Sequence, residues 1–200
     1  MIGIILNDGF SNEENSISYV YTKFLKIFDK YLLIPLDHNI ISNINLCQGI
    51  IMQGGDNFLP VHKNIIKYLY EKDIPLLAIC MSMQAMGEVF NGKLKPVINH
   101  KSKEKYVHYV NIKKGTLLYD IIKSEKIMVN SSHKEVLQFT DLDISAYCEF
   151  IEAIEDNNKR FFLGVQWHPE KMITYDINSI LIFKYFKEVC DGVKRINKNN

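Results

Sequence analysis

A cysteine, a histidine and a glutamate stand where each could do more than fill space. Cys80 lies in LLAICMSMQAMG (76–87), between an apolar run that reads as a buried strand and a segment that reads as a helix. The sharp bend of such a strand-to-helix elbow presents its side chain, and small neighbours are needed because the backbone there is strained and crowded. Ala78 and Ser82, two residues to either side, meet that need. The N–H of Met81 would open the helix, where the dipole and unpaired donors lower a thiol pKa and can hold an oxyanion. Taken alone, the segment fits a structural cysteine better, because free cysteine is among the most buried residue types.

Two further segments change that balance. VQWHPE (165–170) sets His168 just past an apolar strand, with Pro169 fixing the backbone and Glu170 two residues on. A carboxylate there can accept the imidazole Nδ1–H and leave Nε2 to take a proton from a thiol, the division of labour between nucleophile, base and orienting group. On its own the segment reads equally well as a strand-end histidine beside a helix-start carboxylate. MQGGDN (52–57) places two glycines after another apolar run. With no Cβ in the way, a backbone N–H at Gly55 could supply a second oxyanion donor, although a tight turn is the simpler reading of the pair by itself. All three segments follow predicted strands, and open α/β sheets gather their sites at the carboxyl ends of strands.

The elements that must position these residues can be laid out from the pattern. IGIIL (2–6), YLLIP (31–35), GIIMQ (49–53) and PLLAI (75–79) are short apolar runs that read as strands. Between them, 16–28 carries Ile17, Val20, Tyr21, Phe24, Leu25 and Phe28 on one helical face, and 61–70 carries Ile65, Ile66, Leu69 and Tyr70. That alternation predicts βαβ units and a parallel sheet. The second half differs: YVHYVNI (106–112), KIMVN (126–130), ISAYCEFIEAIE (144–155) and FFLGVQW (161–167) follow one another with little helix between. DNNKR (156–160) reads as a hairpin turn, and an amphipathic helix over 176–189 precedes a polar end. The expectation is one α/β domain over 1–192, its sheet mostly parallel with added antiparallel strands, and a solvated tail over 193–200.

Composition narrows the function classes. Two hundred residues, 47% of them hydrophobic, suffice for one substantial core. Lys and Arg number 24 against 23 Asp and Glu, so no strong field argues for nucleic acid or an anionic membrane surface. No apolar run approaches the ~20 residues of a membrane span, and the N-terminus has no basic region of a signal peptide. Cys47, Cys80, Cys148 and Cys190 are widely separated, which suits reduced thiols and a cytoplasmic location. Zinc-finger spacing, GxxxxGK and GxGxxG are all missing, so neither a cofactor nor a metal is expected.

At this level the chain resembles the class I glutamine amidotransferase-like family, and within it the γ-glutamyl hydrolase branch. The family elbow reads G-x-C-x-G-x-Q; here Ala78, Cys80, Ser82 and Gln84 hold those places, with both glycines replaced by small residues. The family's His-Pro-Glu run is matched by His168, Pro169 and Glu170, and NSSHKEVL (130–137) is similar to a loop that borders the glutamyl pocket in that branch. The resemblance implies a flavodoxin-like three-layer fold with helices on both faces. It implies that Cys80 attacks a γ-glutamyl carbonyl, Gly55 and Met81 hold the oxyanion, His168 moves the proton and Glu170 orients it. Gln84 and Gly54, with Asn130, Ser131, Ser132 and His133, would border the glutamyl group. The expected partners are a small γ-glutamyl molecule and at most a second copy of the chain. Two outcomes stay open: a free-standing hydrolase, which the NSSHKE loop favours, and a glutaminase subunit feeding ammonia to a separate synthase. HKSKEK (100–105) could meet phosphates of a substrate or form a solvated turn.

Overall fold

Every residue of Ile2–Ile5, Gly49–Met52 and Leu76–Ile79 is buried, because the sheet these runs build is covered on both faces. The computed structural model describes residues 1–6, 22–55, 59–98, 100 and 102–193. In chain order it contains β1 (Ile2–Ile5), α1 (Thr22–Leu25), β2 (Tyr31–Ile34), α2 (Ile40–Ile44), β3 (Gly49–Met52), α3 (Pro60–Glu71), β4 (Leu76–Ile79) and α4 (Met81–Val89). There follow β5 (Lys93–Pro96), β6 (His108–Ile112), α5 (Leu117–Ile122), β7 (Lys126–Val129), β8 (Glu135–Phe139), β9 (Asp143–Tyr147), β10 (Ile151–Glu155), β11 (Phe162–Val165), α6 (Pro169–Met172) and α7 (Ile177–Cys190).

Nine strands form one sheet in the order β2-β1-β3-β4-β11-β10-β9-β6-β7. The first five are mutually parallel, and their order is the 2-1-3-4-5 of a flavodoxin-like fold with β11 as the fifth strand. From β10 outward the pairing is antiparallel. Side chains alternate between two cores: along β4, Leu77 and Ile79 join Phe24, Leu118 and Phe183 on one face, and Leu76 and Ala78 join Ile65, Ile66, Leu69 and Met86 on the other. The fold is therefore three layers, α/β/α.

The structure also differs from the sequence pattern in places. ISAYCEFIEAIE is two strands, β9 and β10, reversing at Cys148–Phe150, where Cys148 N donates to Phe150 O (2.9 Å). No glycine, proline or asparagine marks that reversal, so the apolar run read as continuous. Between β6 and β7 lies the short helix α5, whose start is fixed by Thr116 Oγ1 accepting from Tyr119 N and by buried Glu155 accepting from Leu117 N (2.6 Å) and Leu118 N (3.1 Å). That second cap comes from far along the chain and leaves no local signal. Strands β5 and β8 pair apart from the main sheet, with β5 largely exposed and lysine-bearing. Of the helix expected over 16–28, Thr22–Leu25 is helical, 16–21 lie outside the described residues, and Phe28 is buried beyond the helix end. The tail from 194 also lies outside them.

Helix α4 rests on β11 at a glycine. A Cβ on Gly164 would lie 2.8 Å from Met83 Cγ, 3.1 Å from Met83 Cβ and 3.1 Å from Met86 Sδ. Gly164→Ala should therefore push α4 outward and cost about 1–3 kcal/mol, the usual range for overpacking. Urea unfolding reads this, and an unchanged midpoint would show that the helix does not depend on that approach.

Candidate active site

Strands β3, β4 and β11 are neighbours in register, with Met52 opposite Ala78, Ala78 opposite Gly164, and Ile79 opposite Val165. The chain leaves all three at one edge, so Gly54, Cys80 and His168 converge although they lie far apart in sequence. Cys80 N still donates to Val165 O at 2.8 Å, extending the ladder by one residue. The backbone then turns at φ 52°, ψ −110°, a conformation L-residues avoid at a cost of about 1–3 kcal/mol. Ser82 helps to hold the turn: its fully buried Oγ donates to Gln53 O at 2.6 Å, tying the start of α4 to the end of β3. Gln84 N closes the first helical turn on Cys80 O at 3.0 Å.

His168 is fixed from three sides. Its Nδ1–H donates to Glu170 Oε1 at 2.6 Å, a pairing that Pro169 favours by starting α6 at once. Asn130 grips the backbone of the same residue, its Oδ1 accepting from His168 N (2.8 Å) and its Nδ2 donating to His168 O (2.9 Å). A Cβ on Gly54 would fall 2.7 Å from His168 Cε1 and 3.0 Å from Cys80 Cβ, so the imidazole, the thiol side chain and Gly54 lie in mutual contact. Burial opposes a charged imidazole, but Glu170 and Cys80, through charge and hydrogen bonds, hold His168 up to about 10. Glu170 and Cys80 thus both favour the protonated form of His168.

Sequence reasoning missed Gln166, which is wholly buried near the end of β11. Glu135 O accepts from Gln84 Nε2 (2.7 Å), Gln84 Nε2 also donates to Gln166 Oε1 (3.1 Å), and Gln166 Nε2 is left to donate to Cys80 Sγ (3.6 Å). A carbonyl can only accept, so Glu135 O sets the direction of the whole relay, and an amide N–H ends on the sulfur. A polar residue at the end of an apolar run, as in VQW, was the available signal.

The other expected residues fall into place as follows. Met81 opens α4, so its N–H has no partner within the helix. Gly55 is exposed one residue beyond Gly54. Gln84 and Asn130, expected at the substrate, spend their amides on the relay to Cys80 and on the His168 backbone. Ser131 is buried and its Oγ donates to His100 O; Ser132 is half-buried. His133 is buried with Nδ1 3.1 Å from Glu135 O, and burial pushes it down to about 4. Of the 100–105 run, Lys103 is exposed and Lys105 Nζ lies 5.1 Å over the Tyr175 ring; Lys101, like Asp56 and Asn57, lies outside the described residues.

A family model described as Peptidase C26 matches residues 61–170, a span that contains Cys80, His168 and Glu170. The chain belongs to the peptidase C26 family. It is 28% identical to a glutamine-hydrolyzing GMP synthase subunit of Methanosphaera stadtmanae, covering 96% of this chain and 100% of that protein. It is 26% identical to a gamma-glutamyl-CDP-amidate hydrolase of Campylobacter jejuni, covering 90% and 92%. Its fold matches that of a glutamine amidotransferase of Thermotoga maritima with a TM-score of 0.67 over 95% of this chain and 98% of the other, at 10% identity. As a peptidase C26 member with glutamine amidotransferase relatives it is a C–N hydrolase by family. Among the described residues no helix is long and apolar enough to cross a membrane.

The His168–Glu170 contact carries a direct prediction. A histidine whose folded pKa is raised stabilises the fold fully below its unfolded value of about 6.5, and this part is lost as pH rises through about 10. Glu170→Gln removes the carboxylate charge, so the imidazole titration followed by NMR should move down from about 10 toward the unperturbed value. An unmoved titration would show that Glu170 does not hold the proton.

Proposed function

We propose that the protein is a cysteine-dependent hydrolase that cleaves a γ-glutamyl amide or amidate and releases glutamate. The observation that carries the reading is the elbow: Cys80 at φ 52° beside an imidazole that is itself hydrogen-bonded to Glu170. In this mechanism Cys80 Sγ, its proton passed to His168 Nε2, attacks the γ-carbonyl, and the N–H groups of Met81 and Gly55 hold the oxyanion. His168 gives its proton to the leaving nitrogen as the C–N bond breaks, which leaves a γ-glutamyl thioester. A water then gives a proton to His168 as its oxygen attacks the thioester carbonyl; the C–S bond breaks, His168 returns the proton to the departing sulfur, and the thiol is regenerated as glutamate leaves. Gln166 Nε2, aimed at the sulfur, stabilises the negative charge that develops there as the thiol proton leaves and again as the C–S bond breaks. Asn130 keeps His168 in place, and Ser131, Ser132 and His133 border the pocket behind it.

The leaving group divides two readings. The likeness to a γ-glutamyl-CDP-amidate hydrolase over 90% of the chain supports a free-standing enzyme, whose substrate would carry a nucleotide phosphoramidate of the kind used in capsular polysaccharide biosynthesis. The likeness to a GMP synthase subunit over 96% of the chain supports the alternative, a glutaminase subunit that passes ammonia to a partner. The free-standing reading is preferred because Cys80, His168, Glu170 and their supports all come from this one chain, and a hydrolase acting alone must be preorganised by itself.

The test is steady-state glutamate release by the isolated chain from glutamine and from a panel of γ-glutamyl amides and amidates. The expected result is turnover without a second polypeptide, fastest on a substrate with a large leaving portion, whose binding can be used to raise kcat. Cys80→Ala should abolish it, and Gln166→Leu should lower kcat by about 10²–10³-fold, the loss that removal of one oxyanion-type donor brings. Silence on every compound until a synthase partner is supplied would favour the ammonia-donating subunit.

A further inference from the structure

A second cluster of ionisable side chains lies in the antiparallel half of the sheet. His108 opens β6, Glu152 lies in β10, and His100 sits on the connection between β5 and β6. The His100 ring centroid is 5.0 Å from that of His108 and 4.7 Å from that of His133. Glu152 is fully buried; its Oε1 lies 3.1 Å from His108 Nε2 and accepts from Cys148 Sγ at 3.3 Å. This ion pair uses one atom of each partner. Around it, His100 Nε2, His108 Nδ1, His133 Nε2 and Glu152 Oε2 are buried and have no hydrogen-bond partner. Buried polar atoms are ordinarily satisfied, so residues this close together with unpaired atoms leave room for a missing partner. Burial opposes a charged His108 while Cys148 and Glu152 hold it up to about 9, and a cation that displaces this proton can accept one lone pair from each imidazole together with those of the carboxylate.

We propose that His100, His108 and Glu152 bind a divalent transition-metal ion of the zinc class, with His133 beside His100 as the nearest further donor. One donor atom from each of His100, His108 and Glu152 already lies within 4.8 Å of the other two. Four-coordinate zinc, with bonds of about 2.0–2.1 Å, wants donors about 3.4 Å apart, a closure that side-chain rotation supplies. Two imidazoles with one carboxylate suit zinc and its neighbours, whereas magnesium and calcium prefer oxygen donors throughout. Cys148 orients the carboxylate from behind, as supporting partners of metal ligands do. The ion would fasten the connection that bears His100 to the sheet. That connection is in turn bonded to the segment that clamps the active-site histidine: Ser131 Oγ donates to His100 O, and Ser102 N donates to Ser131 O at 3.1 Å. The proposal goes beyond the hydrolase reading, and its test does not use activity.

The full-length protein, freed of metal by dialysis against a chelator, is titrated with Zn²⁺ in competition with a chromophoric chelator, and separately with Co²⁺ for its visible d–d bands. The expected result is one tight equivalent, accompanied by a rise in Tm. His100→Gln and Glu152→Gln should each weaken binding by about 100-fold or more, since losing even a supporting partner costs about 10–100-fold. Cys80→Ala should keep the equivalent. His100 lies on a connection, so His100→Gln, checked for fold by circular dichroism, decides the matter even where a variant in β10 does not fold. The proposal is overturned if the native protein binds no tight equivalent, if the equivalent survives His100→Gln, or if it disappears in Cys80→Ala.

Discussion

The bend at Cys80 is the constraint on which the site depends. An L-residue at φ 52° is strained, and it persists only because its surroundings leave no alternative. The bond from Cys80 N to Val165 O fixes the residue before the turn, and the bond from Gln84 N to Cys80 O fixes the turn after it. Between these, Ser82 ties α4 to the end of β3. A glycine at that position would free the backbone; the serine instead contributes a bond that a glycine lacks.

What the bend presents is then tuned by directional contacts. The carbonyl of Glu135 orients Gln84, Gln84 orients Gln166, and Gln166 points an N–H at the sulfur. From the opposite side Glu170 holds the proton of His168, and Asn130 fixes the backbone that carries the imidazole. The NSSHKE segment therefore supports the site from both directions, through Asn130 toward the histidine and through Glu135 toward the thiol. Hydrogen bonds to charged or charging groups are worth about 1.5–3 kcal/mol each, enough for this network to offset the strain of the turn.

The sequence made the parallel half legible because its strands are apolar on both faces and its helices carry one apolar stripe. Cys80, His168 and Glu170 were also legible, since each follows a recognisable strand and the three types together specify a chemistry. Gln166 was hidden because its role exists only once β4 and β11 are side by side, and Asn130 because its partner is a backbone 38 residues away. The two-strand nature of 144–155 was hidden for a different reason: its reversal is made by Cys148, Glu149 and Phe150, none a turn-forming residue. The His100, His108 and Glu152 cluster has no sequence motif, as its members meet only across the antiparallel strands.

Covalent chemistry at one sulfur is the central claim. The most direct measurement is acid quench of the isolated protein during turnover of a γ-glutamyl compound with an activated leaving group, so that hydrolysis of the thioester becomes the slow step, followed by peptide mapping by mass spectrometry. The expected result is a γ-glutamyl acyl group on the peptide that carries Cys80 and on no other cysteine peptide. Turnover with no acylated peptide, or acylation at Cys47, Cys148 or Cys190, would contradict it.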